Sequence, residues 1–302
     1  MIPWPVIPLT GRPWPVAPDR SSPRWDMTDA IGPATDVRRA PSPAAVDPSV
    51  PHVARIYDYL LGGQANFEVD REAARRAADA YGGIDRARAD ARANRDFLGR
   101  VVRWLALEAG VKQFLDLGTG IPGGDNVHAV ARGVAPESRI VYVDHDPIVV
   151  AHAHQLLHGV ERTTFLPLDL RDPRAILGQA ADTLDFSEPV GVLCVAILHV
   201  LTDDEDPYGV VGTLMDAVAS GSYLAVSHLA SDVEAQGVGE GVRRANERLA
   251  GNYVARSRRE VTRFFDGLAL VEPGVVQVDR WRAEPEPGAA ERIFWGAVAR
   301  KP

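Results

Sequence analysis

The sequence predicts an α/β fold: a doubly wound, mostly parallel sheet with helices on both faces. Three observations predict it. Between residues 113 and 228 short apolar runs alternate with helical segments, the pattern of strands joined by crossover helices. The first run, Gln113-Phe114-Leu115-Asp116-Leu117, breaks at once into Gly118-Thr119-Gly120-Ile121-Pro122-Gly123-Gly124, as a buried strand does when it delivers its carboxyl end to a ligand crevice. The second run ends in Asp144, about twenty residues past the glycines, where a carboxylate reaches ribose hydroxyls.

Composition narrows the class. The chain has 302 residues, 46% hydrophobic and 25% charged, which is enough apolar material for a full core. A formal net charge of −8 argues against a nucleic-acid binder, whose surface is usually basic. The single cysteine, Cys194, rules out an internal disulfide and fits a reducing, cytoplasmic setting. No apolar run approaches bilayer length, so no membrane association is expected.

Residues 1–50 carry Pro3, Pro5, Pro8, Pro13, Pro15, Pro18 and Pro23 and keep no period. They are expected to be a disordered extension, with Met27 as the natural start and residues 51–302 as the folded domain. Within that domain, 51–93 reads as a helical cap and 94–302 as the core. His52–Leu61 sets Val53, Ile56, Tyr57, Leu60 and Leu61 on one helical face before Gly62-Gly63, a helix end. Glu68–Ala80 is a charged, alanine-rich second helix whose arginines alternate with acids at helical spacing, the signature of a solvated face. A third helix from Asn94 buries Phe97, Leu98, Val101, Val102, Leu105 and Ala106 and stops at Gly110.

After the first strand, a helix is expected from Asp125 to Arg132. The second strand is Arg139–Asp144, and Asp146-Pro147 opens the next helix with proline where its missing N–H does no harm. The third strand is Thr163–Leu168, followed by Asp172-Pro173 in the same role. Val190–Ile197 and Ser222–His228 are the fourth and fifth strands. Ser257-Arg258-Arg259-Glu260 is a capping box. Leu268–Trp281 and Arg292–Ala299 have no helix between them and should form a C-terminal antiparallel pair.

Gly118-x-Gly120-x-x-Gly123 also fits a dinucleotide fingerprint. Asp125 would put a carboxylate where a pyrophosphate must bind, and Pro122 removes a donor from any phosphate cradle. A nucleoside without phosphates fits better, and S-adenosylmethionine brings ribose hydroxyls, adenine and a cationic sulfonium to an acidic, glycine-floored crevice. Asp144 is assigned to the ribose and Asp146 to capping its helix. Asp169 is placed to accept from the adenine amino group, with the Leu170 backbone at the ring edge. Asp116 lies beneath the loop, where it orients the glycines or attracts the sulfonium. His145 and Ala196, at the ends of the second and fourth strands, complete the expected cofactor contacts. The fourth strand end, Val195–His199, opens on the acceptor side. His199 and His228 are candidate general bases, weighed against the commoner structural role of a strand-end histidine. In-line positioning alone can drive methyl transfer from a sulfonium. Asp203, Asp204 and Asp206 lack the accompanying ligands of a metal site, and no metal is expected.

With these residues in view, the chain resembles a group of bacterial S-adenosylmethionine-dependent methyltransferases first catalogued as a domain of unknown function. The likeness runs from Pro51-His52-Val53-Ala54-Arg55-Ile56-Tyr57-Asp58-Tyr59-Leu60-Leu61-Gly62-Gly63, Asn66-Phe67 and Asp70-Arg71 through the glycine loop. It continues in Val141–Pro147, Asp169–Pro173, Asp206-Pro207-Tyr208-Gly209 and Leu270–Val276. The resemblance implies a seven-stranded class I methyltransferase sheet with an N-terminal helical cap, and cofactor contacts at Gly118, Gly120, Asp144 and Asp169. It carries across no catalytic residue. The group usually has asparagine where His145 stands and glutamate where Ala129 stands. Tyr57, Asp58 and Phe67 either close over the crevice as a lid or simply pack the amphipathic segment on the sheet. The expected function is methyl transfer to a small-molecule acceptor. The alternatives are a non-catalytic S-adenosylmethionine-binding regulator and, disfavoured by Asp125 and Pro122, an NAD-type oxidoreductase.

Overall fold

Strands rich in β-branched and aliphatic residues stack side by side and bring every loop of interest to one edge of the sheet. In the computed structural model, β1 (Gln113–Leu117), β2 (Arg139–Val143), β3 (Thr163–Leu166), β4 (Gly191–Val195) and β5 (Tyr223–Leu229) pair in parallel in the order β3-β2-β1-β4-β5. The structure describes residues 47–79, 82–123, 126–157, 159–233, 246, 253–283 and 290–302. The chain divides into two units, Met1–Ser42 and Pro43–Pro302, and every described residue belongs to the second. The expectations for the Pro-rich segment up to residue 46, for Met27 and for Asp125 lie outside the described residues.

Side chains alternate along the parallel strands and fill two separate layers. Leu115, Leu117, Val141, Val143, Val192 and Cys194 face one core; Phe114, Ile140, Tyr142 and Leu193 face the other. That alternation follows from the two-residue strand period. The first layer is covered by α6 (Pro173–Ala180), α7 (Pro207–Ala217) and α8 (Arg258–Thr262), and the second by α3 (Ile84–Leu107), α4 (Val127–Arg132) and α5 (Pro147–Leu156). Helices thus lie on both faces, as expected.

The C-terminal segment departs in detail from the expected pair. β8 (Phe294–Arg300) pairs antiparallel with β5 on one side. On the other side it meets two short strands, β6 (Ala269–Leu270) and β7 (Val276–Gln277), making a sheet of eight strands among the described residues, one more than the seven the resemblance implies. Leu268–Trp281 does not run as one strand. Pro273 lacks a ladder donor, Gly274 takes φ +79, and a 3-10 turn occupies Val278–Arg280.

Helix limits also differ. α3 begins at Ile84 rather than Asn94: no proline interrupts the stretch, and Arg86 pairs one turn on with buried Asp90 at 3.2 Å. α4 begins at Val127, with Asn126 before it, and the N–H of its second residue, His128, donates to the Tyr142 hydroxyl at 2.9 Å. In α1 (Val53–Leu60) the one buried residue is Arg55, while Val53 of the expected apolar face is exposed. Asp70, on α2 (Glu68–Ala78), explains this, since its carboxylate lies 2.8 Å from Arg55 Nε.

Candidate active site

The glycine loop is fixed from both sides. The N–H groups of Gly118 and Thr119 both donate to the Val143 carbonyl, at 2.8 and 3.2 Å, tying the loop to the end of β2. Gly118 takes φ +70, and a Cβ there would lie 2.3 Å from Ile197 Cγ1. Only glycine fits both demands. Gly120 takes φ +66 with nothing within 4 Å of where its Cβ would stand, so that side of the loop is open.

Asp144 joins the loop to the following helix. Its Oδ2 accepts from Gly120 N at 2.9 Å and its Oδ1 from Asp146 N at 3.0 Å. An ionised carboxylate oxygen accepts more than one hydrogen bond, so each retains capacity for a hydroxyl. Burial raises the Asp144 carboxyl above its usual range, opposed by those two backbone bonds. Asp116, 6% exposed, is the penultimate residue of β1, on the α3 side. Burial pushes its carboxyl up to about 7; the Arg95 guanidinium lowers it and the Asp144 carboxylate raises it further.

Asp146 caps α5, accepting from Ile148 N at 2.8 Å, and its other oxygen lies 3.0 Å from His52 Nε2. Burial would raise its pKa, yet the His52 contact and the backbone bonds hold it below the usual value. His145 between them is exposed. Asp169 accepts from Arg171 N at 2.9 Å, and Arg171 in turn reaches Glu205 at 2.6 Å, which links the end of β3 to the acidic loop beyond β4. Leu170 is buried.

Beyond β4 the chain turns sharply. Ala196 takes φ +53, a region L-residues rarely adopt, and its N–H is shared by Ser227 Oγ at 2.9 Å and Ser227 O at 3.1 Å. His199 is 7% exposed, its Nδ1 buried without a partner and its ring 5.6 Å from that of Tyr253. Burial pushes its pKa down to about 3. His228 has both nitrogens engaged, Nδ1 with Leu229 O and Nε2 with Arg256 Nη1, each at 2.9 Å. Arg256 can only donate, so His228 is neutral with its proton on Nδ1. Its pKa is pushed down to about 4, chiefly by burial.

The structure therefore ties Gly120 to the Asp144 carboxylate and Gly118 to the neighbouring Val143 carbonyl, brings Asp116 close enough to Asp144 to feel its charge, and sets Ala196, Asp169 and Leu170 just past the carboxyl ends of β4 and β3. Of the three lid candidates, Tyr57 reaches Asn94 of α3 at 2.9 Å, Asp58 accepts from Asn66 at 2.8 Å within its own turn, and Phe67 is 42% exposed under the Arg55 guanidinium. Sequence reasoning missed Asn94, Ser227 and Arg256. Arg256 is 2% exposed and also donates to Leu201 O and Asp203 Oδ1, partners too distant in sequence to leave a local pattern. Among the described residues no group of His, Cys, Asp and Glu side chains is set to hold a metal ion, and no helix is long and apolar enough to cross a membrane.

The sequence pattern of a family described as S-adenosyl methyltransferase matches residues 39–302. A DUF574 family protein from Streptomyces avermitilis MA-4680 is 41% identical, with 85% of this chain and 99% of that one covered and a TM-score of 0.80. A candidate methyltransferase from Thermobifida fusca YX is 39% identical, with 87% and 99% covered and a TM-score of 0.79. No curated protein matches the chain.

Proposed function

The chain belongs to the S-adenosyl methyltransferase family and is an S-adenosylmethionine-dependent enzyme, and we propose that it methylates a small-molecule acceptor at the carboxyl ends of β4 and β5. The observation that carries this reading is the Asp144 carboxylate, which spans Gly120 N and Asp146 N with capacity left for two ribose hydroxyls. Charge-assisted bonds of that kind are worth roughly 1.5–3 kcal/mol each. When bound, the cofactor supplies an electrophilic methyl group on a cationic sulfur. Gly118 and Gly120 keep side chains out of its way, Asp116 provides negative charge beneath the loop, and Asp169 with Leu170 receives the adenine.

The turn at Ala196 and Ile197 would position the acceptor beside the bound cofactor, and no side chain is assigned as a base in this reading. Neither histidine serves as base in this reading. His228 has no free nitrogen, and burial, which pushes the His199 pKa down to about 3, makes its neutral ring a weak base. Its neutral ring instead offers a hydrogen-bonding edge beside Tyr253. The net charge of −8 supports a small acceptor over nucleic acid, and the single buried cysteine supports a cytoplasmic setting.

The test is release of S-adenosylhomocysteine from S-adenosylmethionine across a chemically broad panel of small acceptors. Acceptor-dependent release is the expected result. Saturable cofactor binding with no release from any member of the panel would contradict the proposal.

A further inference from the structure

Five residues from four separate segments form one chain of hydrogen bonds, buried at its centre. Ala196 N donates to Ser227 Oγ at 2.9 Å. Ser227 Oγ donates to Asn94 Oδ1 at 2.5 Å. Asn94 Nδ2 donates to the Tyr57 hydroxyl at 2.9 Å, and that hydroxyl donates to the Ala91 carbonyl at 3.3 Å. Each of the three side chains between the two backbone ends accepts from one neighbour and donates to the next, an arrangement in which the bonds polarise one another. Ser227 is fully buried and Asn94 is 1% exposed.

The two ends of this chain lie in different parts of the molecule. At one end is Ala196, held at φ +53, a conformation that costs free energy unless the surroundings enforce it. Its neighbour Ile197 fills the space a side chain on Gly118 would need. At the other end is Tyr57 on α1, the helix whose leading residue His52 pairs with Asp146 beside the loop. The main-chain bond from Ala196 N to Ser227 O already satisfies the turn. Burying an asparagine and a serine there is unfavourable unless every partner stays in place, so the chain makes the turn and the helix depend on each other.

We propose that Ser227 and Asn94 are positioning residues that couple the seating of α1 to the turn at Ala196–Ile197, and through Gly118 to the cofactor loop. Cofactor affinity then depends on a hydroxyl on α1 whose hydrogen-bond partners, Asn94 and Ala91, lie on α3. This inference rests on the crevice being the S-adenosylmethionine site, and its test separates the two.

S-adenosylhomocysteine is titrated calorimetrically into wild type, Tyr57→Phe, Ser227→Ala and the double variant, while amide exchange at Ala196 is followed in the free proteins. Tyr57→Phe keeps the ring and removes only the hydroxyl. Each single variant should bind about threefold to tenfold more weakly, the double variant no more weakly than the worse single one, and Ala196 exchange should quicken about tenfold in Tyr57→Phe. Single variants that bind like wild type, or losses that multiply in the double variant, would overturn the coupling. If wild type binds no S-adenosylhomocysteine, the site reading fails instead. The coupling then stands or falls on Ala196 exchange, which an unchanged rate in Tyr57→Phe would refute.

Discussion

Asp116 is the residue whose ionisation the fold leaves most finely poised. Burial lifts its carboxyl to about 7, with Arg95 lowering it and Asp144 raising it, so a cation placed above it favours the charged form. S-adenosylmethionine should therefore bind more tightly as pH rises from about 6 to about 8. S-adenosylhomocysteine, without the positive sulfur, should change little, and titration of both ligands at each pH checks this. The same shift sets a stability trend. Between about pH 4 and 7 the unfolded chain has released this proton and the native state has not, so Asp116 makes the fold less stable as pH rises. Asp116→Asn should flatten that slope in urea melts across the window. Burial acts oppositely on His199 and His228, lowered to about 3 and about 4. Their contribution to stability is present above about pH 6.5 and is lost as pH falls towards 4. A neutral inflection in the pH–rate profile should therefore vanish in Asp116→Asn and persist in His199→Gln.

At the scale of elements, the N-terminal helices hang on one carboxylate. Asp70 is fully buried and accepts from His52 N and Phe67 N, each at 2.8 Å, while its Oδ2 also lies 2.8 Å from Arg55 Nε. Asp70→Ala strips two backbone donors and an almost fully buried guanidinium of their partner. Such a loss costs about 3–5 kcal/mol, which a lowered urea midpoint would register; an unchanged midpoint would refute the role. None of this was legible in the sequence. The period of His52–Leu61 announces an amphipathic helix, but Arg55 reads as solvent-facing until Asp70 is brought against it across a turn. The strands were legible because their apolar runs and the Gly and Pro residues between them are local signals. Leu268–Trp281 was not, since its two short strands and the turn after them depend on β8.

For the molecule as a whole, the same division holds between near and far. The doubly wound sheet follows from alternation along the chain, and the Gly118–Gly120–Asp144 cluster follows from a strand, its loop and the next strand end. The Asn94–Ser227 bond joins residues 133 positions apart, and Arg256 meets Leu198, Asp203 and His228 only once β5 is in place. No periodicity encodes such meetings. In the proposed function this topology converges on Asp144 to hold the ribose of S-adenosylmethionine. Calorimetric titration of S-adenosylhomocysteine into wild type and Asp144→Ala, with folding checked by circular dichroism, tests it most directly. Wild type should bind, and the variant should bind about tenfold or more weakly, the loss of at least one charge-assisted bond. Equal affinity in the two folded proteins would contradict it.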